Sequence, residues 1–298
     1  MTREKAPDLL SIGLVTDAIF SDFDQDGDPD LVMVGEGMPI TFFANNKGAF
    51  NRQKIGASLS DMVGLWWSIS EGDLNGDGRP DYVVGNLGKN SKFKASPKKP
   101  FIIFGNDFDN NGSNDVVLAN YSNDKLVPVR GRECTSEQMP FVAEKFPSYD
   151  EFARAELTAI LPADKMKKAS KFEVTTFASS VIINLGNNNF EAKKLSNQAQ
   201  IAPIRSSKIM DVNGDGHLDI VAVGNLFAAE VETVRYDAGI GLTMLGDGKG
   251  NFSVLPVTES SWYTPFDARS IEVLNGKDQN PIFIVGNNKE RLQIFKLN

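Results

Sequence analysis

Fourteen of the chain's 24 aspartates fall into four nine-residue runs that could hold a metal ion. They are Asp22-Phe23-Asp24-Gln25-Asp26-Gly27-Asp28-Pro29-Asp30, Asp73-Leu74-Asn75-Gly76-Asp77-Gly78-Arg79-Pro80-Asp81, Asp107-Phe108-Asp109-Asn110-Asn111-Gly112-Ser113-Asn114-Asp115 and Asp211-Val212-Asn213-Gly214-Asp215-Gly216-His217-Leu218-Asp219. The frame is constant. Oxygen-bearing side chains stand at positions 1, 3, 5 and 9 and a glycine at 6, while position 7 (Asp28, Arg79, Ser113 or His217) varies and can offer its backbone carbonyl. Hard oxygen donors at this spacing suit calcium, which takes about 6–8 of them in a flexible shell; magnesium prefers a rigid octahedron and keeps its waters.

The frame matches the first three quarters of an EF-hand loop. The EF-hand also needs a bidentate Glu at position 12, and position 12 here is Met33, Val84, Leu118 or Ala222. The ninth-position Asp is therefore expected to ligate directly, in a loop joining two strands of one sheet. A single Asp/Asn/Gly run is an ordinary turn, but here the side-chain positions of the four runs hold 4, 3, 3 and 3 carboxylates. Crowding like charges without a cation is costly. About four calcium ions are expected, held tightest in loop one, which is acidic at every side-chain position, and less tightly in loop three, where Asn111 stands at position 5. His217 is the sole histidine, and at position 7 only its carbonyl is wanted.

The elements that must position these loops read as short strands. Each loop runs into a β-type segment, Leu31–Val34, Tyr82–Val84, Val116–Leu118 or Ile220–Val223, and two of these end in Gly85-Asn86 and Gly224-Asn225. Second strands follow at Ile40–Phe43 and Leu242–Leu245, and Asn45–Phe50, Gly186–Phe190 and Gly248–Phe252 have hairpin-turn composition. Ile282–Asn287 with Leu292–Phe295 repeats the strands without the acidic loop, as a degenerate fifth copy. Repeats of roughly 35–55 residues with several short strands suit propeller blades. The expected fold is all-β, a β-propeller of about five four-stranded blades, or six or seven if the native chain continues upstream. Residues 1–298 are expected to form a single domain, with residues 132–172 as an inserted helical segment. Ser148 and Glu151 there make a capping-box pattern, and Phe152, Ala155, Ala159 and Ile160 share one stripe before Pro162.

Composition narrows the function. The formal charge of −8 and the lack of a basic stripe argue against a nucleic-acid partner. One cysteine, Cys134, excludes an internal disulfide, and one histidine leaves little for a nucleophilic triad. No apolar run is long enough to insert in a membrane, and Met1–Leu10 lacks a signal-peptide pattern, so an exported chain would have had its signal removed. Trp66-Trp67 and Trp262-Tyr263 should each place one member in the core and one outside, because adjacent strand residues face opposite ways. Arg235-Tyr236-Asp237 reads as a structural corner, and the lysines at 92, 94, 98 and 99 as a solvated loop.

At its acidic loops the chain resembles the FG-GAP/VCBS repeat family, whose Asp-x-Asp-x-Asp-Gly-x-x-Asp loops build propellers like the head of integrin α chains. Met38-Pro39-Ile40, Gly85-Asn86-Leu87-Gly88, Lys94-Ala95-Ser96-Pro97, Gln138-Met139-Pro140, Arg235-Tyr236-Asp237 and Gly246–Phe252 are similar to the closing module of large bacterial VCBS-repeat proteins. The resemblance implies calcium ligands at the loop positions and no catalytic residue. It also implies a module of a longer surface or secreted protein. The expectation is a non-enzymatic, extracytoplasmic calcium-binding module that contacts a protein or glycan partner. Its alternatives are a glycan-cleaving enzyme using acids outside the loops and a purely architectural domain.

Overall fold

The computed structural model of the chain describes residues 2–229, 233–276 and 280–296. Five antiparallel sheets account for nearly all of its strands. Sheet I comprises β1 (Leu14–Ser21), β2 (Asp30–Pro39), β3 (Thr41–Asn46) and β4 (Ala49–Arg52), with β5 (Val63–Leu65) pairing to the far end of β2. Sheet II begins with β6 (Ser68–Gly72) and β7 (Asp81–Gly85). The chain then builds a separate sheet from β8 (Phe101–Asn106), β9 (Asp115–Ser122), β10 (Lys125–Pro128) and β11 (Ser170–Val174). It returns with β12 (Ser180–Gly186) and β13 (Asn189–Lys194) to complete sheet II in the order β13-β12-β7-β6. Sheet III is β14 (Ile204–Met210), β15 (Asp219–Gly224), β16 (Leu242–Gly246) and β17 (Phe252–Leu255); sheet IV is β18 (Ala268–Asn275), β19 (Pro281–Asn287) and β20 (Gln293–Lys296).

These elements form two compact units, residues 1–91 with 177–298, and residues 92–176. The first packs sheets I to IV face to face, and the alternation along each second strand shows how. In β7, Tyr82 and Val84 bury against Val32, Phe42 and Trp66 of sheet I, whereas Val83 faces Ile220, Ala222 and Met244 of sheet III. In β15 the next step repeats, with Val221 and Val223 packed on Ile271, Phe283 and Val285 of sheet IV. Period-two side chains thus give every inner sheet two apolar faces, as stacked blades require. Among the described residues no buried cluster joins sheet IV to sheet I. The clusters link the four sheets in series, I on II, II on III and III on IV.

The second unit is wider than the helical insertion drawn at 132–172, because it brings its own four-stranded sheet. Ile102, Phe104, Val117 and Ala119 make one face of that sheet, covered by Met139, Val142, Phe152, Leu157 and Ile160 from short helices between Arg132 and Lys168. The capping box at Ser148 and Glu151 is present. The single stripe expected behind it is instead two helices, Tyr149–Arg154 and Leu157–Ile160, split at Ala155, whose backbone is extended. The third acidic loop, Asp107–Asp115, belongs to this unit and not to the four-sheet series.

The Gly-Asn pairs explain themselves where sheets meet. A Cβ on Gly224 would stand 1.6 Å from the Pro203 carbonyl oxygen, and one on Gly85 2.3 Å from that of Ile204, so only glycine fits. Asn225, buried at a φ of +86°, donates from Nδ2 to the carbonyls of Gly239 (2.8 Å) and Phe266 (3.0 Å) and accepts from Gly239 N at 2.8 Å. Alanine there would strand these groups and keep a left-handed backbone. Asn225→Ala is expected to cost about 2–4 kcal/mol, read as a lower denaturant midpoint.

Candidate metal centre

Each acidic loop joins the first and second strands of a sheet, and all four close in one register. The residue before position 1 pairs with position 9: Ser21 with Asp30, Gly72 with Asp81, Asn106 with Asp115 and Met210 with Asp219. The chain between them is wound by its own side chains. The position-1 carboxylate accepts from the N–H of the position-6 glycine in every loop, at 2.8–3.1 Å. The position-3 side chain accepts from the N–H of position 5, and the position-5 side chain from that of position 7, again in all four. Asx turns of this kind are what Asp and Asn do locally. The position-6 glycines, at φ of +80° to +92°, supply the left-handed backbone that the winding needs.

The ninth-position aspartates play a structural part that the sequence reading did not include. Asp30, Asp81, Asp115 and Asp219 are buried, and one oxygen of each accepts from the N–H of position 2, on Phe23, Leu74, Phe108 or Val212. The other oxygen accepts from Asn45, Asn184 or Gly246 N on the third strand; in the second unit the Gln138 side chain takes that place. The apolar residue at position 2 of every loop is the signal that was available for this. Its side chain enters the core, which aims its N–H back at the aspartate.

The loops differ in what surrounds their carboxylates. In loop one, oxygens of Asp22, Asp24 and Asp30 lie within 4.8 Å of one another, as do those of Asp107, Asp109 and Asp115 in loop three. Oxygens sharing a cation at about 2.3–2.6 Å stand no more than about 5 Å apart, so both groups have the right spread. Asp22 Oδ1 is buried and accepts no hydrogen bond. An anionic oxygen left bare inside an all-oxygen donor set fits calcium, and the absence of thiolate and imidazole disfavours a softer metal. Asp26 and Asp28 complete the acidic rim of loop one. In loop two the Arg79 guanidinium pairs with Asp77 and also donates to the Asn184 carbonyl, while Asn75 donates to Asp77 Oδ2. In loop four Asn213 donates to Asp215 Oδ2, and the His217 ring lies beside Gly248. In loop three Asn111 donates to Asp109 Oδ2, Lys165 reaches the Asp107 carbonyl, and Ser113 closes the turn.

Burial sets the electrostatics. It pushes Asp30 and Asp81 up to about 6 from an ordinary 3.8, and raises Asp24 and Asp219 as well. The N–H of Gly216, with others of its loop, holds Asp211 below the ordinary range. Because Asp30 and Asp81 titrate higher folded than unfolded, their contribution to metal-free stability is present below pH ~4 and lost as pH rises through ~6. Calcium requires the ionised carboxylates, so its stabilising effect grows through the same window. The gap in melting temperature between excess calcium and EDTA should be wider at pH 7 than at pH 5; an equal gap would contradict this.

The other expected features are placed as follows. Trp66 and Trp262 are buried while Trp67 is half-buried and Tyr263 exposed. Tyr236 is buried and bridges Leu226, with Arg235 stacked on Phe227, so this motif is a structural corner. The loop of the degenerate fifth copy includes residues 277–279, which lie outside the described residues. Among those described, no helix is long and apolar enough to cross a membrane.

No curated protein matches the chain. The family model of the FG-GAP-like repeat matches residues 22–84, from the first carboxylate of loop one to the strand after loop two. The chain thus carries an FG-GAP-like repeat.

Proposed function

We propose that the chain is a non-catalytic, propeller-like interaction module whose acidic loops bind calcium and whose partner is a protein or glycan outside the cytoplasm. The bare, buried Asp22 Oδ1 within a three-carboxylate group carries the calcium part. The residues that would hold the ions are those of the loop frame, with the ninth-position aspartates both ligating and pinning each loop to its sheet. Bound there, calcium would neutralise the carboxylates and tie the turn between the first two strands. Its role is structural, and weak loops of this kind suit compartments where calcium is abundant. The FG-GAP-like repeat supports an extracytoplasmic interaction module. The lack of a catalytic histidine or thiol arrangement favours binding over turnover.

The test is a glycan array together with pull-down from extracellular fractions, each run in calcium and in EDTA. Calcium-dependent capture of a ligand that is released unchanged supports the reading. Turnover of a captured glycan would replace it with the enzyme reading. Empty arrays and pull-downs in calcium would leave an architectural domain.

A further inference from the structure

In the four-sheet unit the first strands β1, β6, β14 and β18 enclose a cavity of about 570 Å³. That falls within the range of roughly 300–1,000 Å³ typical of small-ligand sites. Its charged lining balances, with Asp17, Glu71 and Glu272 against Arg205, Lys208 and Arg269. Nearly all of these groups have partners. Lys208 pairs with Glu272 at 3.0 Å, Arg269 with the buried Asp267 at 2.8 Å, and Asp17 accepts from Ile69 N at 2.9 Å. Glu36, beside the cavity, accepts from Trp67 Nε1 at 2.7 Å.

Of the three cations, Arg205 is the exception. Its guanidinium lies 4.1 Å above the Trp67 ring, and among the described residues it has no hydrogen-bond or ion-pair partner. Burial and the charge of Arg269 lower its pKa to about 10, so it stays cationic at neutral pH. A half-buried guanidinium held flat on an indole is a pre-set fork whose geometry matches a carboxylate. Lys208 and Arg269 are already paired, so the Arg205 guanidinium is the cation of the lining left to receive a carboxylate. The remaining wall carries the hydroxyls of Thr16, Ser68, Ser70, Ser206, Ser207 and Ser270; Thr16 and Ser68 donate to the Trp66 and Ile204 carbonyls and Ser70 bonds Ser207, which leaves oxygen lone pairs able to accept. That suits a ligand carrying many hydroxyls of its own.

We propose that Arg205, stacked on Trp67, binds the carboxylate of a sugar acid in the cavity between the four first strands. This deepens the interaction reading above and rests on it. The experiment uses the calcium-loaded chain and follows Trp fluorescence and heat of binding with sodium glucuronate, glucose, N-acetylglutamate and sulfate. Glucuronate should bind saturably, with glucose and N-acetylglutamate weaker, and Arg205→Gln should weaken glucuronate by about tenfold or more. Because the substitution removes an unpaired, half-buried charge, its unfolding midpoint should hold or rise; a purely structural stacking role predicts a fall. Equal affinity for N-acetylglutamate, tighter binding of sulfate, or an unaltered glucuronate affinity in R205Q would overturn the assignment. If glucuronate fails while the arrays yield a calcium-dependent ligand insensitive to R205Q, this site falls alone. If the arrays are also empty, the interaction reading falls with it.

Discussion

Asp81→Ala is expected to cost the four-sheet unit about 3–5 kcal/mol, because it strands two buried backbone donors at once. Asp81 accepts from Leu74 N at 2.9 Å and from Asn184 N at 2.7 Å, and is itself fully buried. Asn184 in turn donates from Nδ2 to the Phe23 carbonyl at 2.9 Å, so the carboxylate fixes a residue that ties sheet II to the first loop. Asp81→Asn does not rescue it, since the amide nitrogen would face one of the two N–H groups. All three tryptophans lie in the four-sheet unit, so tryptophan fluorescence in a denaturant titration follows that unit. Most of the loss should persist in EDTA, because these hydrogen bonds do not need the metal. A loss under about 1 kcal/mol in both conditions would show that the ninth position is not a structural pin.

Chelation is the second large effect. A weak site with a dissociation constant of about 10⁻⁴–10⁻³ M, at about 10 mM free calcium, contributes about 1.4–2.7 kcal/mol by mass action. Loops one, two and four belong to the four-sheet unit and loop three to the other. The fluorescence-detected transition should therefore lose about 4–8 kcal/mol in EDTA if the three loops are all loaded. Asp24→Asn in loop one should remove a share of that difference while leaving the EDTA value nearly unchanged. A transition identical in calcium and EDTA would leave the loops as self-wound Asx turns.

Much of this was legible in the sequence, for a physical reason. The loop frame is local: Asp and Asn turn their own backbone, glycine supplies the left-handed residue, and the strand that follows starts at position 9. The hairpin turns at Asn45–Phe50, Gly186–Phe190 and Gly248–Phe252 are equally local, and each joins two strands as read. What escaped was non-local. Sheet II is completed by β12, about a hundred residues after β7, and nothing near Gly85 announces that β7 must wait for its neighbour. The insertion was consequently drawn as helices alone, although Phe101–Asn106 and Ser170–Val174 pair across it. Loop three has the same frame as the others, so its membership in a different unit could not be read from the frame.

The candidate ligands divide in the same way. The carboxylates were visible, but their competitors were not. Arg79 was counted for its carbonyl, and its side chain instead occupies Asp77, which gives loop two an internal cation that loop one lacks. Arg205 carried no signal at all, since its meaning depends on Trp67, which it meets across two sheets.

The most direct measurement is equilibrium dialysis of the metal-stripped chain against calcium, with the double variant Asp22→Asn/Asp24→Asn alongside. The account predicts saturable uptake of about four ions per chain, falling by about one in the variant. No saturable uptake at about 10 mM free calcium, or an uptake unaltered in the variant, would contradict it.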